Sequence, residues 1–293
     1  MIARSLLFVP ADSDRKLARC TQSGADIVIL DLEDSVAAEQ KPAARTRAAQ
    51  FLAARGPSGS PRCWVRINPL STPAAELDLA SIAAAAPEGI VLPKSTSAED
   101  VVRLGRRLDE LEAQHGLAGG AIGILPIVTE TPAAVFSLGN YRSSRPRLQA
   151  LTWGAEDLSA AIGATEVREA DGHWSAPFQL VRSLCLFGAA AAGVAAIDTL
   201  HADFRDLEGL RSRCAESRRD GFSGKLAIHP DQVAVINECF RPSAAEIAEA
   251  ERIVALFAQH PDQAALSLDG RMIDIPHLRR AEKTLARARI HDP

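Results

Sequence analysis

The amino-acid sequence predicts an α/β fold, a (β/α)8 barrel (TIM barrel) with a C-terminal helical extension, and three observations support this prediction. Short apolar runs alternate with longer amphipathic segments eight times along the chain. Most runs are continuously hydrophobic, as expected of parallel strands covered on both faces. Polar residues follow the runs, where the βα loops of a barrel build its active site. A doubly wound sheet is the alternative, but "GADIVILDLED" lacks the GxGxxG turn typical of dinucleotide folds.

The predicted strands follow one another in order through the first 228 residues. A typical intervening helix is predicted to begin at Ala98, after a polar Ser, and to end at Gly116. Repeated strand–helix units with right-handed crossovers close into a barrel. The predicted strands are Leu6–Val9, Ile27–Leu30, Cys63–Ile67, Gly89–Leu92, Ala121–Val128, Leu148–Trp153, Ala195–Ile197 and Lys225–Ile228.

The last fifty or so residues do not continue this repeat. Ser243 and Glu246 form the pattern of a capping box, and an apolar stripe follows it. A turn is predicted at Asp269–Gly270, with another helix after it. We therefore divide the chain into a catalytic barrel domain, residues 1–240, and a helical lid or oligomer-interface segment, residues 241–293.

Composition limits the partners and the compartment. A formal net charge of −4 argues against nucleic acid or an anionic membrane as the main partner. The five cysteines are scattered without a CxxC pair, which favours a reducing compartment. No apolar stretch has the length of a signal peptide core or a membrane span. We expect a cytoplasmic protein.

The polar ends of the predicted strands are expected to converge at one face of the barrel. Any one of them could simply meet water at a strand end, but a convergent set indicates a functional site. In chain order these residues are Asp31/Glu33/Asp34, Arg66/Asn68, Lys94/Ser95, Thr129/Glu130, Glu156/Asp157, Asp198 and His229.

Glu130 and Asp157 end consecutive strands and form the strongest pair. Two adjacent carboxylates need a cation or a shared proton. Mg²⁺ suits them because it typically takes one or two protein carboxylates, and Mn²⁺ is an acceptable substitute. No His/Cys cluster has zinc spacing. A salt bridge from these acids to Arg66 or Lys94 is the structural alternative.

Arg66 suits the clamping of a carboxylate or the stabilisation of an enolate oxygen, because its guanidinium stays charged. His229 could act as an acid/base or shape its turn, and we assign it, with Glu156, to substrate or CoA binding. Arg15 and Arg19 lie four residues apart on the first helix and could bind phosphates; a solvated helix face is the alternative.

Asp31, Glu33 and Asp34 place three carboxylates within four positions after the second strand. Such repulsion needs compensating partners. We predict that these acids face the barrel mouth and, with Lys94, surround the metal site, where they hold its water and basic residues in place.

Several longer motifs together resemble the citrate lyase β-subunit-like family of the HpcH/HpaI aldolase superfamily, which includes malyl-CoA and citramalyl-CoA lyases. The resemblance spans nearly the whole chain. The motifs are "RSLLFVPADSDRKLARC", "GADIVILDLEDSV" followed by Lys41 and Arg45, "VRIN", "VLPKS", "VTETP", "TWGAEDLSAAIGA", "AIDTLHADFRDLEGL", "GFSGKLAIHPDQV" and "GRMIDIPHLRRA".

This resemblance implies a (β/α)8 barrel, commonly trimeric or hexameric, that uses Mg²⁺ to act beside a CoA thioester. It implies that Glu130 and Asp157 bind the metal and that Arg66 clamps the substrate. Asp274 would be a catalytic acid delivered from a neighbouring subunit's C-terminal segment. The positions that would contact CoA are Phe8, Arg15 and Arg19.

The implied reaction cleaves or forms a 3-hydroxyacyl-CoA, such as malyl-CoA or citramalyl-CoA, giving acetyl-CoA plus a 2-oxoacid. Three alternatives remain: a malyl-CoA thioesterase, an aldolase for CoA-free 2-oxoacids, and a citrate lyase β-like subunit acting on a carrier-bound acyl group. Departures from the family pattern leave the substrate open; they are Ala11, Pro132, Ala134 and Ala161.

Overall fold

The computed structural model describes residues 3–55, 61–144 and 146–291. These residues form two compact units, Ala3–Cys239 and a second unit from Phe240 onward. The first unit contains eight parallel strands, which confirms the predicted barrel. The strands are β1 (Ser5–Pro10), β2 (Ile27–Asp31), β3 (Arg62–Arg66), β4 (Gly89–Leu92), β5 (Gly123–Pro126), β6 (Ala150–Thr152), β7 (Ala195–Asp198) and β8 (Gly224–Ala227).

The strands form a nearly closed ring. Strand β1 pairs with both β2 and β8, and the sheet runs from β5 around to β6. Parallel bridges join β5 to the β6 side at Ile124 with Leu148 and at Ile127 with Thr152. All eight carboxyl ends therefore emerge at one face.

Helices follow the strands, as the sequence predicts. Helix α4 begins at Ala98, and Gly116 ends it in a left-handed conformation with φ 67°, so both predicted signals are confirmed. The helices of this unit are α1 (Asp14–Cys20), α2 (Lys41–Arg55), α3 (Pro73–Ile82), α4 (Ala98–His115), α5 (Pro132–Val135), α6 (Glu156–Ile162), α7 (Ala176–Ala192), α8 (Leu207–Asp220) and α9 (Pro230–Phe240, which reaches the second unit).

Alternate strand residues fill the barrel interior with apolar side chains. Successive side chains of a strand point to opposite faces. Phe8, Asp31 and Arg66 therefore lie on the inward rows, each two positions after an interior residue of its own strand. The interior cluster comprises Ala3, Leu6, Ile27, Ile29, Trp64, Val91, Leu125, Ile127, Ala150, Ile197 and Leu226.

The second unit combines helix α10 (Ala244–Gln259), strands β9 (Ala265–Leu268) and β10 (Arg271–Asp274), and helix α11 (Ile275–His291). The capping box of Ser243 and Glu246 is confirmed. The antiparallel hairpin was not predicted. It forms because Asp269 (φ 51°) and Gly270 (φ 75°) are both left-handed, as a two-residue hairpin turn requires. None of the described helices is both long and apolar enough to span a membrane.

Candidate active site

Asp31 and Arg66 form a bidentate ion pair at the ends of β2 and β3. Arg66 Nε lies 2.7 Å from Asp31 Oδ1, and Nη2 lies 2.6 Å from Oδ2. Burial would raise the pKa of Asp31, but the Arg66 guanidinium outweighs it and lowers that pKa. Arg66 Nη1 also lies 2.9 Å from Glu33 Oε2. The guanidinium is thus held in one orientation by two carboxylates.

Lys94 lies among three carboxylates of the mouth. Its Nζ is 2.6 Å from Glu33 Oε1, 3.4 Å from Asp34 Oδ2 and 3.5 Å from Asp157 Oδ1. Burial alone would lower the pKa of Lys94, but Glu33 and the other acids raise it. Burial raises the pKa of Glu33 despite the two cations beside it. Lys94 therefore joins the acids that follow β2 to the acid that follows β6.

The backbone of Lys94 binds the other predicted metal ligand. Lys94 has φ 50°, a left-handed conformation that costs a non-glycine residue about 1–3 kcal/mol. Its N–H donates to Glu130 Oε2 at 2.5 Å. Because of this conformation, one residue contacts Glu33 through its side chain and Glu130 through its backbone.

The loops after β5 and β6 hold Glu130 close to the strand end of β6. The Thr129 hydroxyl donates to the Gly154 carbonyl at 3.0 Å. The Gly154 N–H donates back to Thr129 Oγ1, also at 3.0 Å. A Cβ at Gly154 would lie only 3.3 Å from Glu130 Cγ. The missing side chain leaves room for the Glu130 carboxylate. Asp157 follows in the first turn of α6.

Glu130 is 5% exposed, so its carboxylate is almost completely removed from water. Burial raises its pKa to about 8, although the Lys94 N–H opposes this, and the nearby Glu33 and Asp157 carboxylates raise it further. Within the described residues its carboxylate forms no ion pair, whereas Asp157 pairs with Lys94. The salt-bridge alternative therefore holds for Asp157 alone.

This donor set fits a hard divalent cation, which would neutralise the buried Glu130. The described part of the chain contains no group of three or more His, Cys, Asp or Glu side chains suited to a metal. Two carboxylates are nevertheless sufficient protein ligands for Mg²⁺, since water and substrate oxygens complete its octahedron.

A cleft of about 320 Å³ lies beside the mouth, between β1, α1 and the start of α9. Its wall combines apolar Phe8 and Ile228 with Lys16, Arg19 and His229. The Phe8 ring centroid is 4.8 Å from the Arg66 guanidinium carbon. Phe8 therefore contacts both the cleft and the polar site at the mouth.

The structure brings most of the predicted site residues into these two places. Phe8, Arg19 and His229 line the cleft. Arg15 and Glu156 are exposed and belong neither to the cleft wall nor to the ion pairs of the mouth. Asp274 lies in the second unit. The predicted residues gathered at the mouth are Asp31, Glu33, Asp34, Arg66, Lys94, Glu130 and Asp157.

The expectation that Asp198 emerges at the mouth is wrong. Its neighbour Ile197 points into the barrel, so Asp198 points outward and is buried against the surrounding helices. Trp153 Nε1 donates to its carboxylate at 2.6 Å, and Arg182 of α7 and Ser217 of α8 bind it as well. Asp198 therefore attaches helices α7 and α8 to the barrel.

Sequence reasoning missed the role of Lys41, whose side chain holds the backbone of the loop that follows β2. Lys41 Nζ donates to the carbonyls of Leu32 (3.0 Å) and Glu33 (2.9 Å) and to Asn68 Oδ1 (2.6 Å). Asn68 is in turn bound by the buried Asp78. The available signal was Asp78, an acid that lies between two leucines of α3 and is itself buried.

Two family models match the chain. The model of the HpcH/HpaI aldolase/citrate lyase family matches residues 4–230, and a model of C–C bond lyases of the TIM-barrel fold matches residues 181–292. The chain belongs to the HpcH/HpaI aldolase/citrate lyase family.

Relatives and solved structures resemble the chain over nearly its whole length. A citrate lyase subunit beta-like protein of Mycobacterium tuberculosis is 36% identical over 282 residues, covering 96% of this chain and 94% of the relative. The human mitochondrial citramalyl-CoA lyase is 32% identical over 301 residues, covering 97% and 85%. The crystal structure of CitE from M. tuberculosis with magnesium, acetoacetate and coenzyme A has a TM-score of 0.78 and 34% identity, covering 98% of both chains. The protein is a carbon–carbon lyase.

Proposed function

We propose that the protein is a Mg²⁺-dependent lyase that cleaves or forms a 3-hydroxyacyl-CoA such as malyl-CoA or citramalyl-CoA. Cleavage gives acetyl-CoA and a 2-oxoacid, and condensation joins them. The observation that carries this proposal is the buried Glu130 carboxylate, which lies at the mouth of the barrel near Asp157 and Arg66 and forms no ion pair among the residues that the structure describes. The magnesium, acetoacetate and coenzyme A bound by the M. tuberculosis relative support it.

Glu130 and Asp157 would hold the metal, for which Mn²⁺ is an acceptable substitute. When bound, the ion polarises substrate oxygens and stabilises developing negative charge. Asp31, Glu33, Asp34 and Lys94 surround these ligands. Their ion pairs fix the side chains in place before substrate arrives, so little reorganisation is needed during the reaction.

Arg66 is the proposed substrate clamp and the donor to the enolate oxygen. Asp31 occupies its Nε and Nη2, while Nη1 faces Glu33. A substrate oxygen would share the Nη1 edge. Because Asp31 and Phe8 restrain the guanidinium, it would meet that oxygen in a fixed direction, which is the geometry that favours a developing oxyanion.

The cleft is the proposed site of the CoA portion. Its apolar wall suits the uncharged arm of CoA, and Lys16, Arg19 and His229 suit phosphate groups at its polar side. Arg15 would add charge from the exposed side of the same helix. Glu156, at the start of α6, would contact substrate from the mouth. Since Phe8 contacts both cleft and mouth, a bound thioester would be directed towards Arg66.

Asp274 is the proposed catalytic acid. It would protonate the enolate carbon during cleavage and remove the same proton during condensation. By the family resemblance, a neighbouring subunit of a homotrimer or homohexamer supplies this residue, so the second unit acts as a lid and an interface segment. We propose a cytoplasmic location, and neither nucleic acid nor a membrane as partner.

The test compares the wild type with Glu130→Gln in cleavage assays on malyl-CoA and citramalyl-CoA across a Mg²⁺ titration. Gln keeps the size of the side chain but removes its charge. We expect Mg²⁺-dependent cleavage by the wild type, abolished by a chelator, and at least about a hundredfold loss in the variant. Glu99→Gln, an exposed residue of α4, is the matched control. Wild-type Mg²⁺ response in Glu130→Gln would refute the metal assignment.

A further inference from the structure

Asp274 and His277 form a close pair in the second unit. His277 Nδ1 lies 2.5 Å from Asp274 Oδ1, and the Asp274 N–H lies 3.3 Å from the same nitrogen. Both side chains are about one-third exposed, at 36% and 35%. Asp274 is the last residue of β10, and His277 lies three residues later, in the first turn of α11.

The junction fixes the backbone of Asp274. Asp274 pairs with Ala265 across the hairpin, and its neighbour Ile273 is buried in the core of the unit. The His277 contact then fixes the carboxylate itself. A freely rotating aspartate in this exposed position would lose conformational entropy at each turnover, whereas this one is held beforehand.

Among the residues that the structure describes, His277 forms the ion pair recorded for this carboxylate. Strand β9 contains no ionisable residue. On β10, Arg271 pairs with Glu249 of α10. On α11, Arg279 and Arg280 follow the pair and are exposed. In the described part of the unit, His277 is the side chain that lowers the pKa of Asp274.

The geometry of Nδ1 allows two states that differ by the place of one proton. With the proton on His277, Nδ1 donates to the Asp274 carboxylate, which is then a base. With the proton on Asp274, the carboxyl donates to Nδ1, which accepts through its single lone pair. Both states keep the same heavy-atom contacts.

We propose that His277 is the positioning residue and proton store of Asp274. The proposal rests on the proposed function, in which Asp274 is the catalytic acid. During cleavage, the proton that the pair holds moves from Nδ1 to Oδ1, and the Asp274 carboxyl gives it to the enolate carbon, forming a C–H bond and leaving a carboxylate beside a neutral His277. The partly exposed ring then takes one proton from solvent, which refills the pair. Condensation runs through the same steps in reverse.

The test uses full-length His277→Ala and His277→Asn, assayed with whichever of malyl-CoA and citramalyl-CoA the wild type cleaves. We expect His277→Ala to lower kcat about tenfold with KM within about twofold, and added imidazole to restore part of the rate. His277→Asn keeps a donor near Oδ1 but cannot carry the proton, so kcat stays low. In condensation, the acid limb of the pH–rate profile should move to higher pH, because the group that lowers the pKa of Asp274 is gone.

The control is His260→Ala, which removes an exposed histidine of the same unit and should change none of these quantities. A wild-type kcat and pH profile in His277→Ala would overturn the inference, and so would a loss that imidazole does not restore. Asp274→Asn distinguishes the proposed role of His277 from the proposed role of Asp274. If Asp274→Asn is inactive and His277→Ala is normal, only the role of His277 is refuted. An active Asp274→Asn refutes the proposed acid itself.

Discussion

Arg66 shows how single residues determine the site, because its orientation depends on a buried acid rather than on substrate. Asp31 is 1% exposed and binds the guanidinium through both oxygens. Removing one partner of a buried ion pair leaves an uncompensated charge, which costs far more than the loss of a surface pair. Asp31 and Asp34 lie three positions apart but should therefore respond differently to the same substitution.

Asp31→Asn should destabilise the fold by about 3 kcal/mol, because Arg66 loses its bidentate partner in a buried setting. Asp34→Asn is the matched control: its side chain is 58% exposed and meets Lys94 at 3.4 Å, so a change below about 1 kcal/mol is expected. Urea unfolding measures both. Equal effects in the two variants would show that burial does not determine the strength of these pairs.

Gly154→Ala should weaken Mg²⁺ binding about tenfold without unfolding the protein. The new Cβ would lie 3.3 Å from Glu130 Cγ and would force that carboxylate to shift. Gly139→Ala is the control, since a Cβ there meets nothing within 4 Å. Isothermal titration with Mg²⁺ measures the affinities. Unchanged affinity in Gly154→Ala would mean that Glu130 is free to move or is not a ligand.

At the scale of elements, a buried ion pair joins helix α4 to the segment that enters β6. Arg147 Nη1 donates to Glu112 Oε1 at 2.8 Å, and the backbone N–H groups of Gly120 and Ile122 donate to the same carboxylate. Burial would raise the pKa of Glu112, but Arg147 and these N–H groups lower it to about 2. The pair stabilises the closing edge of the barrel.

This pair predicts a definite dependence of stability on pH. The folded pKa of Glu112 lies below its ordinary value of 4.5, so its contribution is complete above about pH 4.5 and is lost as the pH falls towards 2. Glu112→Gln should therefore cost about 2 kcal/mol at pH 7, and its difference from the wild type should shrink across that window. Glu110→Gln, an exposed partner of Arg107, is the control in urea unfolding. A difference that stays constant with pH would contradict this account.

The strands were predictable because continuous apolar runs and polar ends recur with the period of βα units. The direction of the polar side chain at each strand end was harder to predict. Asp31 and Asp198 both end strands, yet the alternation of side chains points Asp31 inward and Asp198 outward. The hairpin at Ala265–Asp274 was missed because its strands are short and mostly exposed, which gives a weak apolar signal.

At the scale of the whole molecule, the proposed metal ligand Glu130 belongs to the barrel, and the proposed acid Asp274 belongs to the second unit. Sequence patterns gave the acids of the barrel mouth because they follow strands. They predicted Lys94 at the mouth but neither its left-handed conformation nor the role of Lys41, because a positive φ and a contact to a backbone carbonyl leave no periodic trace. Asp274 came from the family resemblance alone.

Co-expression of Glu130→Gln and Asp274→Asn tests the proposed delivery of Asp274 by a neighbouring subunit. Each variant alone should be inactive. In mixed oligomers, purified through two different tags, an intact barrel would meet an intact Asp274 from its neighbour, so measurable activity should return. Mixed oligomers that remain inactive would show that one subunit supplies both residues, and a monomeric protein would refute the proposed assembly.

We propose that this site breaks a carbon–carbon bond beside a CoA thioester with Mg²⁺. The most direct measurement is mass analysis of the products formed when the purified protein meets citramalyl-CoA or malyl-CoA with Mg²⁺. We expect acetyl-CoA together with pyruvate or glyoxylate in equal amounts. Free CoA with intact citramalate or malate would indicate a thioesterase, and turnover only of a carrier-bound acyl group would indicate a dependent subunit; either result would refute the proposed lyase reaction on free acyl-CoA.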